Sequence, residues 1–109
     1  MQDRGGEVLG FPSYSVSLQA GRHLMPCFVY VLGSEGKGGY RTYVGWTTDL
    51  DRRLGEHNAG AGARSTRGRE WVLLYAEQYS ARGAAMTREW QLKRDRRFRK
   101  RLAVFIKPP

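Results

Sequence analysis

"TYVGWTTDLDRRLGEHNAG" fills residues 42–60, and the fold turns on its reading. Its first residues mix aromatic and β-branched side chains, the composition of a strand. Its second half is a helix: Thr47 or Thr48 can serve as the N-cap, Asp49 and Asp51 suit the positive end of the dipole, and Asn58, Ala59 and Gly60 stop it. Leu50 and Leu54 are four apart and should face the core, while Arg53 and His57 share the neighbouring line of the same helix. A line that packs and a line that can do chemistry therefore run side by side.

Upstream, "CFVYVL" at 27–32 is a short apolar run between Pro26 and a glycine cluster, and reads as a strand. "GSEGKGG" at 33–39 turns the chain into the strand "YRTYVGW", giving a hairpin. The loop is no phosphate cradle, because Lys37 is followed by glycine rather than Ser or Thr and no helix begins there. Downstream, "GAGARSTRGRE" at 60–70 is a loop, "WVLLYAEQY" at 71–79 a third strand, and Ser80 caps a second helix running to about Arg94. Asp95 caps a last helix to about Phe105. The order ββαβαα predicts an α/β (α+β) domain with a small three-stranded mixed sheet flanked by helices, the third strand following a helical crossover.

At 109 residues the chain should hold one core. Residues 1–24, rich in Gly, Ser and Gln, read as a flexible N-terminal tail and 25–109 as the domain; Met25, just before the first good strand, is a candidate start. Asp3 and Glu7 balance Arg4 and Arg22, so the whole net charge of +9 belongs to residues 25–109. Such a balance calls for a polyanionic partner, and arginine forks match phosphate oxygens. The single cysteine, Cys27, excludes an intramolecular disulfide framework, and there is no bilayer-length apolar run and no convincing signal peptide. The expected location is cytoplasmic.

With "FVY" at 28–30, "YVG" at 43–45, and Arg53, His57 and Glu89 following in order, the chain resembles the GIY-YIG nuclease superfamily. "TDLDRRLGEHNAG" and "TRGRE" are further similar to its small stand-alone UPF0213 group, and more distantly to the nuclease subunit that cuts branched DNA. The resemblance covers about Met25 to about Arg101. It implies a GIY-YIG-like fold and a catalytic set of Tyr30, Tyr43, Arg53, His57 and Glu89. Phe28 stands in place of the first glycine of the family name. The asparagine that many members carry near the end of the domain has no counterpart here, since Asn58 is the chain's only one. Ser65 replaces a loop aromatic found in many relatives.

Cutting a phosphodiester bond requires an in-line nucleophile, neutralisation of the phosphoryl oxygens and help for the leaving oxygen. Glu89 supplies a hard oxygen ligand for Mg²⁺ (or Mn²⁺), and Arg53 suits the scissile phosphate. A tyrosine acting as base must fall from a pKa of about 10 to about 7, which takes roughly 4 kcal/mol; Arg53, protonated His57 and the metal are the expected sources. The resemblance implies that Tyr30 or Tyr43 activates water, with Tyr30 favoured as base and Tyr43 as positioning group. Arg64, Arg67 and Arg69 in the loop, with Lys93 and Arg94 on the second helix, are the expected contacts to DNA phosphates. Trp46 either packs or stacks on a base.

The expected function is a metal-dependent DNA endonuclease, selective for structure rather than sequence, in DNA repair, recombination or processing. Two alternatives stay open: a non-catalytic nucleic-acid-binding module on the same scaffold, and a small basic RNA-binding or ribosome-associated protein. The form of the DNA, single-stranded, duplex or branched, is not specified by these residues, nor is a homodimer or protein partner.

Overall fold

The computed structural model describes residues Glu7–Leu9 and 26–103. Its elements are β1 (Glu7–Leu9), β2 (Cys27–Ser34), β3 (Arg41–Thr47), α1 (Leu50–Asn58), a 3-10 turn (Arg64–Thr66), β4 (Val72–Tyr79), α2 (Arg82–Arg94) and α3 (Arg96–Leu102). From Cys27 onward the order is the expected ββαβαα. The strands lie in the order β1-β4-β2-β3, and each neighbouring pair is antiparallel. This corrects the expectation of a mixed sheet. The α1 crossover does join two strands of like direction, since β3 and β4 both oppose β2. It skips over β2, however, so the parallel strands never become neighbours.

The sheet also gains a fourth strand from the segment expected to be a flexible tail: Glu7–Leu9 pair with Gln78–Ala76 of β4. The expected boundary at Met25 and the expected helix end at Phe105 lie outside the described residues.

All eight residues of β2 are buried, which is why it reads as an apolar run and not as an alternation. Cys27, Val29 and Val31 face a core completed by Leu74, Ala85, Leu92 and Leu102, so α2 and α3 cover that side. Phe28, Tyr30 and Leu32 face Leu50, Trp71 and Ala76, so α1 covers the other. Val31 pairs with Tyr75 but Leu32 with Leu73, leaving Leu74 as an extra residue in β4. This bulge turns Leu74 into the α2 side of the core while Leu73 stays on the α1 side.

Polar contacts fix the helices on this frame. Asp49, not Thr47 or Thr48, caps α1: its carboxylate accepts from the Arg52 N–H at 3.1 Å, while the Thr47 hydroxyl accepts from the Asp49 N–H. Ala81 opens α2 without a side-chain cap, so Ser80 does not take that role; Asp95 caps α3 as expected, accepting from Phe98. Buried Glu77 of β4 accepts from Arg88 Nε at 2.9 Å and from the Tyr75 and Tyr79 hydroxyls, tying α2 to the sheet. Burial opposes the charge on Glu77, but Arg88 and the two tyrosines outweigh it and hold the carboxyl below its usual range. Arg99 donates to the carbonyls of Leu92 and Lys93 and to the Thr42 hydroxyl, fastening α3 to the end of α2 and to β3.

Candidate active site

The site lies on the α1 face of the sheet. Tyr30 on β2 stands opposite Gly45 on β3. A Cβ at Gly45 would come 2.5 Å from the Tyr30 hydroxyl oxygen. The missing side chain is what lets the phenol lie across β3. Two residues before Gly45 on the same face, Tyr43 sets its ring 6.3 Å from that of Tyr30 and 4.8 Å from the imidazole of His57. The hairpin register and the alternation of a strand thus bring both tyrosines to the first helix.

His57, one helical turn beyond Arg53, is fully buried at 0% exposure. Its Nε2 lies 3.0 Å from the Tyr30 hydroxyl and its Nδ1 2.8 Å from the Thr66 hydroxyl. The Thr66 hydroxyl donates to the Ala63 carbonyl at 2.8 Å. A hydroxyl has one proton, so with that proton committed Thr66 accepts from Nδ1–H, which leaves Nε2 bare to accept from Tyr30. The chain of donors runs Tyr30 to His57 to Thr66 to Ala63. Trp71 Nε1 donates to the Thr66 carbonyl at 2.8 Å and steadies the turn. Gly62 closes the loop over the imidazole, for a Cβ there would meet Nδ1 at 2.4 Å.

Arg53 is shared. Its Nη1 pairs with Glu56 at 2.8 Å, and its guanidinium also lies near enough to Tyr30 to favour the phenolate. The effect is outweighed: burial first, then the neighbouring Tyr43, push the Tyr30 pKa up to about 12. Burial, followed by the charge of Arg53, holds His57 below its ordinary value, with Glu56 opposing. His57 is therefore neutral at pH 7, which corrects the expectation of a protonated imidazole beside the tyrosine. A small pocket of about 20 Å³ beside them is lined by Tyr30, Asp51, Arg53 and four leucines, room enough for a water.

Glu89 reaches the group electrostatically. It is half-buried on α2, its charge raises the Tyr30 pKa, and Lys93 Nζ stands 3.5 Å from it, an ion pair longer than a hydrogen bond. No cluster of three or more metal-ligating side chains occurs among the described residues. A lone hard carboxylate with a loosely held partner fits Mg²⁺, which keeps several waters and takes one or two protein carboxylates.

The basic residues divide. Arg64 in the 3-10 turn, Arg67 after it, and Lys93 and Arg94 on α2 are exposed. Arg69 is not available as expected. Its guanidinium donates to the Ser34 hydroxyl and carbonyl and to the carbonyls of Lys37 and Gly39, pinning the loop to the hairpin. Trp46 packs partly buried against the core with Arg82 over its ring at 5.5 Å, so it is not open for a base. Asn58 exchanges hydrogen bonds with the backbone of Trp71, a structural bond between the end of α1 and the residue that precedes β4.

Reading by spacing missed Thr66, Gly62 and Trp71. A lone threonine in an arginine-rich loop carries no periodicity, and the only signal was a buried histidine's need for a second partner.

Residues 26–102 match the GIY-YIG catalytic domain. A UPF0213 protein of Natronomonas pharaonis is 43% identical over 67 residues, 61% of this chain and 75% of its own length. One from Streptococcus pneumoniae is 45% identical over 71 residues, covering 64% and 69%. The solution structure of a UPF0213 protein from Bacillus halodurans is 37% identical, covers 78% of this chain and 89% of its own, and has a TM-score of 0.42. With the two tyrosines, Arg53 and His57 gathered on one face of the sheet, the matched span makes this chain a member of the GIY-YIG family, in its UPF0213 group.

Proposed function

We propose that the protein is a metal-dependent DNA endonuclease, selective for structure rather than sequence and acting in DNA repair, recombination or processing. The family points to a nuclease-type hydrolase with a nucleic-acid substrate. The observation that carries the finer reading is the Tyr30 hydroxyl at 3.0 Å from His57 Nε2, with Arg53 alongside.

From a pKa of about 12, a free tyrosinate at pH 7 would cost about 7 kcal/mol. Tyr30 does not wait as a ready-made base. It passes its proton to the neutral Nε2 of His57 while taking one from the attacking water, so the charge comes to rest on the imidazole. Thr66 then holds Nδ1–H as the imidazolium forms. Tyr43 walls the imidazole and orients the water. Arg53 binds the phosphoryl oxygens, where hydrogen bonds strengthen as charge gathers. As the new bond to phosphorus forms, the bond to the leaving oxygen breaks; Glu89 would hold a divalent ion, Mg²⁺ or Mn²⁺, which when bound would supply charge neutralisation at the scissile phosphate and the departing oxygen. Arg64, Arg67, Lys93 and Arg94 take the neighbouring phosphates. A buried, unpaired Cys27 supports a reducing, cytoplasmic setting.

The test is cleavage of end-labelled single-stranded, duplex and branched DNA by wild type and Glu89→Ala, with Mg²⁺, Mn²⁺ or chelator. Products are expected from wild type with metal alone. Equal cleavage by Glu89→Ala, or none by wild type, defeats the reading; salt-sensitive retention without turnover points instead to a binding module.

A further inference from the structure

α2 carries an aromatic that the core does not use. Trp90 is 57% exposed, and Met86, one turn before it, is 47% exposed. The Arg94 guanidinium lies 3.9 Å from the centre of the Trp90 ring and also donates to the Trp90 carbonyl at 3.2 Å. The indole is thus held in place by a planar cation, the arrangement in which a second planar group stacks at little cost in ordering.

Its surroundings are cationic. Lys93, Arg94, Arg96, Arg97, Lys100 and Arg101 are all exposed on α2 and α3. From Arg82 to Arg101 only Glu89 and Asp95 oppose them. An apolar patch of two side chains is far smaller than the core of a protein interface, and its cationic rim suits a polyanion. Trp90 is also the chain neighbour of Glu89, and one residue along a helix is a 100° turn and a 1.5 Å rise.

We propose that Trp90 is a stacking platform for an unpaired base, so that the DNA taken by this site carries single-stranded nucleotides next to the bond that is cut. Paired and stacked bases in a duplex present no open face to an indole, whereas any unpaired base does. The inference rests on the endonuclease reading for the bond cleaved, but the stacking itself does not.

Binding in chelator separates the two. Labelled oligothymidylate and a blunt duplex of equal length are titrated with wild type, Trp90→Ala and Trp90→Phe. The expected result is that Trp90→Ala weakens single-strand binding by about 5- to 150-fold, leaves duplex binding within about twofold, and that Trp90→Phe recovers most of the loss. Single-strand binding unchanged by Trp90→Ala, or equal losses on single strand and duplex, overturns the platform. A Trp90-dependent preference for RNA of matching length over DNA overturns the assignment to DNA. Trp90-dependent binding with no cleavage in metal would sink the nuclease and leave the platform standing.

Discussion

Thr66 decides which nitrogen of His57 can accept a proton. Its hydroxyl gives its proton to Ala63 and receives that of Nδ1, so Nε2 is left as the acceptor facing Tyr30. Thr66→Val keeps the shape and removes the acceptor. The imidazole then gains by protonating Nε2 instead: Nε2–H donates to the Tyr30 oxygen, reversing that bond, and the bare buried Nδ1 costs about 1–3 kcal/mol in stability. Cleavage should fall by about 100-fold or more in kcat with little change in KM, the scale of a lost general base. Nitrogen shifts of His57 should exchange their pattern between Nδ1 and Nε2, and Thr66→Ser should restore both. In wild type, His57 is held below its ordinary pKa, so it accepts protons above that depressed value and activity falls as pH drops through it. An unchanged tautomer in Thr66→Val would remove this assignment. At this scale the candidate residues were legible through the resemblance to the family, and strand and helix periods explain why Tyr30, Tyr43, Arg53 and His57 come to one face. Thr66 and Gly62 were not, because their roles arise from a loop folding back on His57. Gly45 was read only as part of "YVG"; its contact with Tyr30 appears once the register sets the two opposite each other.

Elements here are joined by a few polar clamps, and their partners lie far apart in the chain. The buried Glu77 of β4 meets Arg88 of α2, eleven residues on. Removing Arg88 leaves a carboxylate under the helix without its cation. Because the Arg88 side chain keeps 31% exposure, the cost of Arg88→Met belongs near the low end of that for a broken buried pair, about 3 kcal/mol. A melting curve should show a fall of roughly 10 °C or more for a domain of this size. Glu77 has a depressed pKa, so the pair stabilises above the unfolded value near 4.5 and its contribution is lost as pH falls through the folded one. The gap between wild type and variant should therefore narrow in acid; a gap constant from pH 7 to 3 would show that the pair is not its source. Element types and order were readable from composition and period, whereas sheet direction was not. A helical crossover states that β3 and β4 run alike but not that β2 lies between them, and the β1 pairing rests on three residues in a stretch without periodicity.

For the whole molecule, the net charge of +9 overstates what a nucleic acid can meet. Arg69, Arg88 and Arg99 spend their donors on the hairpin, on Glu77 and on the end of α2. The cations left at the surface gather on α2, α3 and the loop after α1. Single-strand affinity should then fall with salt at a log–log slope of about −0.7 for each phosphate neutralised. Arg97 and Arg101 are exposed one turn apart on α3, and the double substitution Arg97→Gln, Arg101→Gln should flatten that slope by about 1.4 with little change in Tm. Arg69→Gln should do the opposite, lowering Tm while leaving the slope intact. Titrations at several salt concentrations beside melting curves decide it. A slope that moves with Arg69 and not with α3 would put the DNA across the hairpin; one that moves with α3 puts the strand on the helical face where Trp90 stands.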